Sequence, residues 1–131
     1  MRPKPRRMTR IAALPAILSF AMLLLAPVAA RAEIVGVRNA GDVDLSAFDC
    51  TAISESQLLH RVCYDEAHRY LVAQVGEDYY DSCNVGPKAV DGLFDSNHVV
   101  AYYNQRIRAQ HRCTAALRAR VGVAGVGKAT Q

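Results

Sequence analysis

The residues with the most chemical capacity are four cysteines, four histidines and two adjacent tyrosines, Tyr79 and Tyr80. Cys50, Cys63, Cys83 and Cys113 follow one another at gaps of 13, 20 and 30 residues. A structural zinc site is usually opened by a CxxC-type clip, because two ligands on one tight turn help to set the tetrahedral geometry. No such clip occurs, and an even cysteine count reads instead as two disulfides in an oxidising compartment. His60, His68, His98 and His111 form no i, i+4 pair and no HExxH motif, so each reads as a surface or capping residue. No serine sits in a G-x-S-x-G setting. The glycine-rich stretch ending at Lys128 lacks both Walker spacing and a following helix. Glu77, Asp78 and Asp81 cluster on one hairpin, where a solvated turn explains them more simply than a metal does. No catalytic residue, metal ligand or cofactor is therefore assigned. Tyr79 and Tyr80 are neighbours on an expected strand and so point to opposite faces. One ring is expected in the core and the other on the outer face of the sheet, as cover or as a ligand platform.

The elements that must position these groups come after a distinctive first segment. Six of the 16 basic side chains (Arg2, Lys4, Arg6, Arg7, Arg10, Arg31) precede residue 33, where no acid occurs. Between Ile11 and Ala30, 17 of 20 residues are aliphatic, Met or Phe. A basic start, an apolar run and the small-x-small sequence Ala30-Arg31-Ala32 together read as a secretory leader over residues 1–32, cleaved between Ala32 and Glu33. The run approaches the ~20 residues that span a bilayer, so an uncleaved anchor is the competing reading. Without the leader the net charge changes from +4 to −2. The pI of about 9.0 thus says little about nucleic acid. The chain is expected to be exported, periplasmic or secreted.

Charge is unevenly placed in the remainder. Residues 33–95 hold four basic and twelve acidic side chains, whereas residues 96–131 hold Arg106, Arg108, Arg112, Arg118, Arg120 and Lys128 with no acid. A basic helix leaning on an acidic sheet explains this internally; a cationic face for an anionic partner is the functional alternative. The internal account is preferred here because the mature chain is slightly acidic.

Periodicity suggests an α+β domain. Residues 33–49 lack a pattern and are punctuated by Gly36, Asn39 and Gly41, which reads as an extended N-terminal arm. Strands are expected at 61–64, 70–75 and 79–83, joined by two tight connections into a three-stranded antiparallel meander with the second strand central. Two packed C-terminal α-helices follow. The first starts at Gly86-Pro87; the second is capped by Ser96 or Asn97 and carries a Val99, Tyr103, Ile107 stripe. The domain proper spans residues 50–120, and residues 121–131 read as a flexible tail.

Cys63-Tyr64-Asp65, Gly76, Tyr80, Val85, Leu93-Phe94, Tyr102-Tyr103-Asn104 and Ile107-Arg108 resemble, in that order, the KTSC domain. That small bacterial module is found alone and at the C-terminus of some lysyl-tRNA synthetases. The likeness covers roughly Cys50 to Cys113, and an exported branch is also resembled upstream in Val43-Asp44-Leu45, Phe48 and Cys50. Two departures stand out: the family's Y-x-Y is Tyr80-Asp81-Ser82 here, and its A-x-S-x-G falls on Ser96, His98 and Val100. The resemblance implies a nucleic-acid-binding module as one function, with Tyr80 stacking a base and Arg106 and Arg108 as candidates for phosphate. The reading from the residues is a non-enzymatic binding or protein-interaction module with a protein or peptide partner. An enzyme is the third reading, requiring a pocket in which His98 and Tyr80 converge. The expected binding surface is Tyr79, Tyr80, Arg106 and Arg108.

Register limits the disulfides. A turn centred near Ala67 sets Cys63 opposite Leu71, and one centred near Glu77 sets Leu71 opposite Cys83. The two cysteines would then stand about 9.5 Å apart, two strand spacings, beyond the roughly 7 Å a disulfide allows. With all four paired, two schemes remain: Cys50–Cys63 with Cys83–Cys113, or Cys50–Cys83 with Cys63–Cys113.

Overall fold

Gly76 takes a positive φ of 61° and opens a two-residue turn with Glu77, a conformation that glycine adopts at little cost. The strands it joins are the centre of the molecule. The computed structural model describes residues 3, 4 and 31–123. Residues 1, 2 and 5–30 of the expected leader, and residues 124–131 of the expected tail, lie outside the described residues.

Among the described residues there are six strands: β1 (Ile34–Val37), β2 (Gly41–Asp44), β3 (Asp49–Ala52), β4 (Leu59–Asp65), β5 (Tyr70–Val75) and β6 (Asp78–Ser82). Their order across one curled sheet is β2-β1-β6-β5-β4-β3. All neighbours are antiparallel except β1 and β6, which run parallel through the single pair Val37 and Tyr79. The helices are α1 (Pro87–Asp95), α2 (Val99–Tyr102) continuing directly into a π-helix (Tyr103–Arg108), and α3 (Ala115–Arg120).

This overturns the expected three-stranded antiparallel meander with two helices. Strands β4, β5 and β6 are half of a mixed six-stranded sheet, in which β5 lies between β4 and β6. The segment read as an extended arm folds instead into the β1–β2 hairpin, whose turn places Asn39 and Gly41 at positive φ. Val121 and Val123, at the start of the expected tail, pack against the core. Ser96 does not cap α2 through its side chain; its hydroxyl accepts from the His98 amide at 3.1 Å.

The register also differs from expectation by one residue in each hairpin. Cys63 stands opposite Val72, and Leu71 opposite Ser82. Both turns hold an even number of residues, four at 66–69 and two at 76–77, so neither can be centred on a residue. A one-residue slip exchanges faces. Cys63, Val72 and Asp81 consequently form a row across one face, and Cys83 lies just past the end of β6.

Each face has its own core. Val62, Leu71 and Ala73 are buried against Val85, Val90, Leu93, Tyr103 and Ile107 from the helical side. Gly92 makes this packing close: a Cβ there would meet the Tyr102 hydroxyl at 2.2 Å. On the other face Cys63, Tyr70 and Val72 are buried with Val37, Ala40, Val43 and Leu45 of the β1–β2 region. Strands that distant in the sheet can touch only if the sheet curls around that face. The Glu33–Arg61 ion pair joins the start of β1 to β4 across the curl, and the guanidinium holds the Glu33 carboxyl below its usual range.

Candidate functional site

Beyond Val37, strand β1 turns away from β6, so the edge of β6 at residues 80–82 loses its strand neighbour on that side. Main chain between the π-helix and α3 fills part of the gap, with the Cys83 amide donating to the His111 carbonyl at 2.8 Å. What remains is a half-open cleft of about 310 Å³ lined by Arg38, Asn39, Tyr80, Asp81, Arg108, Arg112, Cys113 and Arg118. Five separate pieces of chain supply these side chains: the β1–β2 turn, β6, the π-helix, the connector after it, and α3.

Each arginine is positioned differently. Arg118 is anchored by Asp81, which accepts from its Nε at 2.7 Å and from its Nη2 at 2.9 Å. The Tyr70 hydroxyl donates to the same carboxylate at 2.9 Å. Asp81 and Arg118 side chains are only 4% and 14% exposed, so this bidentate pair is a structural lock. Thr114 begins α3 by accepting from the Leu117 amide at 3.2 Å, which fixes the turn that presents Arg118. Arg38 donates to Asp78 at 2.9 Å, and its main-chain amide bonds to the Tyr79 carbonyl at 2.9 Å.

Arg108 lies over the Tyr80 ring, its guanidinium carbon 4.8 Å from the ring centroid, within cation–π range. The π-helix places it there. In an α-helix five residues make about 1.4 turns, which would carry Arg108 well past the direction of buried Tyr103. The wider i→i+5 winding, marked by the Ala109 amide donating to the Asn104 carbonyl at 3.1 Å, turns Arg108 less far from the direction of Tyr103 than an α-helix would. Arg112 precedes Cys113, and the Cys83–Cys113 disulfide ties that position to the end of β6.

Among the described residues, neither Arg108 nor Arg112 has a carboxylate within ion-pair distance, and no acidic side chain follows Asp95 in the chain. Asp78 and Asp81 neutralise Arg38 and Arg118, which leaves the cleft with two uncompensated guanidinium charges. Such a site offers fixed, planar donors to an oxyanion. Behind it, burial pushes the Tyr103 phenol up to about 12, and its hydroxyl has no hydrogen-bond partner among the described residues.

Of the expected surface, the structure brings together Tyr80 and Arg108. Tyr79 points to the enclosed face and packs at the second core. Arg106 is exposed on the π-helix and does not line the cleft. Arg38, Arg112 and Arg118 were not assigned to a site from sequence; the charge asymmetry marked Arg112 and Arg118 only as part of a basic segment. The cysteines are paired Cys50–Cys63 and Cys83–Cys113, the first of the two schemes left open above. Cys50 and Cys63 are direct cross-strand partners on β3 and β4.

His98 lines a separate groove with Leu58 and Val99, so it does not converge with Tyr80. His68 bonds to Asp65 at 2.6 Å in an exposed turn. No group of three or more His, Cys, Asp or Glu among the described residues is arranged to hold a metal ion. No described helix is long and apolar enough to cross a membrane. Comparison with family models, curated proteins and solved structures found no match to this chain.

Proposed function

We propose that the protein is an exported, non-enzymatic binding module that takes an anionic partner through the arginine-lined cleft. The observation carrying this reading is that Arg108 and Arg112 have no carboxylate partner among the described residues, beside two arginines that do. A chain with as many acids as this one could compensate all four, since residues 33–95 carry twelve. Two cations left over in one concave place raise the local concentration of anions and steer them inward.

Export is supported by two features. The disulfides fit an oxidising compartment. Glu33 is also already engaged: its amide donates to Asp44 at 3.1 Å, its carbonyl accepts from Leu45 at 2.8 Å, and its carboxylate takes Arg61. Cleavage after Ala32 would leave those contacts in place and set the new ammonium beside Asp44. Kinship with the KTSC domain belongs to the same proposal and rests on the residues that carry the resemblance. The nucleic-acid reading is disfavoured by the position of the two rings, because Tyr80 is covered by Arg108 and Tyr79 faces the opposite side of the sheet.

Retention on immobilised poly-glutamate tests the function. The mature chain has a formal charge of −2, so net charge alone does not bring it to an anionic matrix. Retention should be abolished by changing Arg108 and Arg112 to Gln and unaffected by Arg106→Gln. Equal retention of all three proteins would contradict the cleft as the binding place. Mass spectrometry of the exported protein should find Glu33 as the first residue; full-length chain in the membrane fraction would contradict cleavage.

A further inference from the structure

The cleft also carries information about the chemical class of its ligand. A guanidinium fork matches a carboxylate as well as a phosphate, so donor type alone does not decide. Charge and shape do. Two uncompensated cations converge on one concavity, which favours a compact dianion over a single carboxylate. A carboxylate offers two oxygens in one plane. A tetrahedral oxyanion offers three that can be approached from different directions, which suits donors carried by two separate segments, Arg108 on the π-helix and Arg112 on the connector. A phosphate monoester carries about −1.5 to −2 charges at neutral pH, whereas a phosphodiester or a sulfate ester carries one.

Size adds a second constraint. The cleft volume of about 310 Å³ is several times the room of a bare oxyanion, given that one water takes ~30 Å³. It lies at the low end of small-molecule sites, which run from roughly 300 to 1,000 Å³. The group that carries the ester therefore has space, and the neighbouring Asn39 offers it an amide. Resting on the anionic-partner reading above, we propose that the cleft binds a small phosphomonoester, its phosphate held by Arg108 and Arg112.

Calorimetric titration of the disulfide-intact exported protein at constant ionic strength tests this with four probes. Glycerol 3-phosphate should bind tightest, with inorganic phosphate weaker through loss of the carrier. Succinate, a dianion without the tetrahedral centre, and methyl sulfate, a tetrahedral monoanion, should each bind at least tenfold more weakly than glycerol 3-phosphate. Changing Arg108 and Arg112 together to Gln should abolish the phosphate signals, while Arg106→Gln should leave them intact; a cooperative unfolding transition shows that the double variant is folded. Should that variant fail to fold, each single substitution should still weaken glycerol 3-phosphate at least tenfold. Succinate or methyl sulfate binding as tightly as glycerol 3-phosphate would overturn the phosphomonoester. Tighter binding of inorganic phosphate would show that the ester's carrier plays no part, and would also overturn it. If no probe binds but poly-glutamate is still held through Arg108 and Arg112, the ligand class fails and the anionic-partner reading stands. If poly-glutamate is not held either, both fail.

Discussion

On the helix-covered face of the sheet, Leu71, Ala73, Leu93, Tyr103 and Ile107 are buried together, and neither an ion pair nor a disulfide joins them. The enclosed face uses the same strands but is held differently. There Cys63 is linked to β3, Cys83 to the connector, and Asp81 to both Tyr70 and Arg118. The first core gains its stability from apolar area removed from water; the second buries a comparable set of residues and in addition joins segments distant in sequence by covalent and charge-assisted bonds. The cleft opens where these two systems meet at the edge of β6. A recognition site there has rigid walls on both sides without needing a large core of its own.

The largest expected effect is on the apolar face. Leu93→Ala should lower unfolding free energy by about 2–5 kcal/mol, the usual cost of emptying a filled core position, measured by denaturant titration. Loss below 1 kcal/mol would mean that the helices contribute little and that the crosslinked face dominates. On the enclosed face, Asp81→Ala leaves Arg118 and the Tyr70 hydroxyl without their acceptor. A cost of about 2–4 kcal/mol is expected, below the full figure for a broken buried pair because Arg118 retains some contact with water. The near-ultraviolet signal of Tyr70, which packs edge-on against Phe48 with centroids 6.0 Å apart, should change in this variant and not in Leu93→Ala.

Alkaline pH distinguishes the faces more finely. Burial raises the phenols of both Tyr70 and Tyr103, and for Tyr70 the Asp81 carboxylate adds to the effect. A phenol whose folded pKa is raised contributes stability that is complete below its unfolded value near 10. That contribution is lost as pH rises; for Tyr103 the loss runs up to about 12. Unfolding free energy should therefore fall above pH 10. Tyr103→Phe removes a hydroxyl that has no partner among the described residues, so it should be neutral or stabilising by up to about 1 kcal/mol at pH 7 and should flatten part of the alkaline decline. Tyr70→Phe should destabilise at pH 7, because Asp81 loses a donor. The opposite pattern would contradict the assignment of the two hydroxyls.

The same contrast explains what was legible in the sequence. The 3.6-residue recurrence that marks Tyr103 and Ile107 is a local signal, and so are the alternation and turn chemistry of β4, β5 and β6. Strands β1, β2 and β3 have four residues each, IVGV, GDVD and DCTA, and each brings too few inward apolar side chains to register as a period. Their pairing depends on the curl of the sheet and on the parallel contact of Val37 with Tyr79, both tertiary. Alternation does not separate Tyr80 from Tyr79, nor charge Arg108 from Arg106; the KTSC resemblance puts Arg106 in the same surface as Tyr80 and Arg108. The stacking of Arg108 on Tyr80 depends on a π-turn that no spacing announces. Arg38 carried no signal at all, being one basic residue in an acidic half of the chain.

The central claim is that Arg108 and Arg112 serve a ligand and not the fold, and unfolding with and without phosphate measures it directly. In chloride at matched ionic strength, the Arg108→Gln, Arg112→Gln variant should be less stable than the disulfide-intact native chain by no more than the ~0.5–1 kcal/mol of the Arg108–Tyr80 contact. Adding phosphate should raise the midpoint of the native chain alone, by an amount that grows with the logarithm of phosphate concentration. A variant destabilised in chloride by clearly more than ~1 kcal/mol, or one that phosphate stabilises as much as the native chain, would contradict the account.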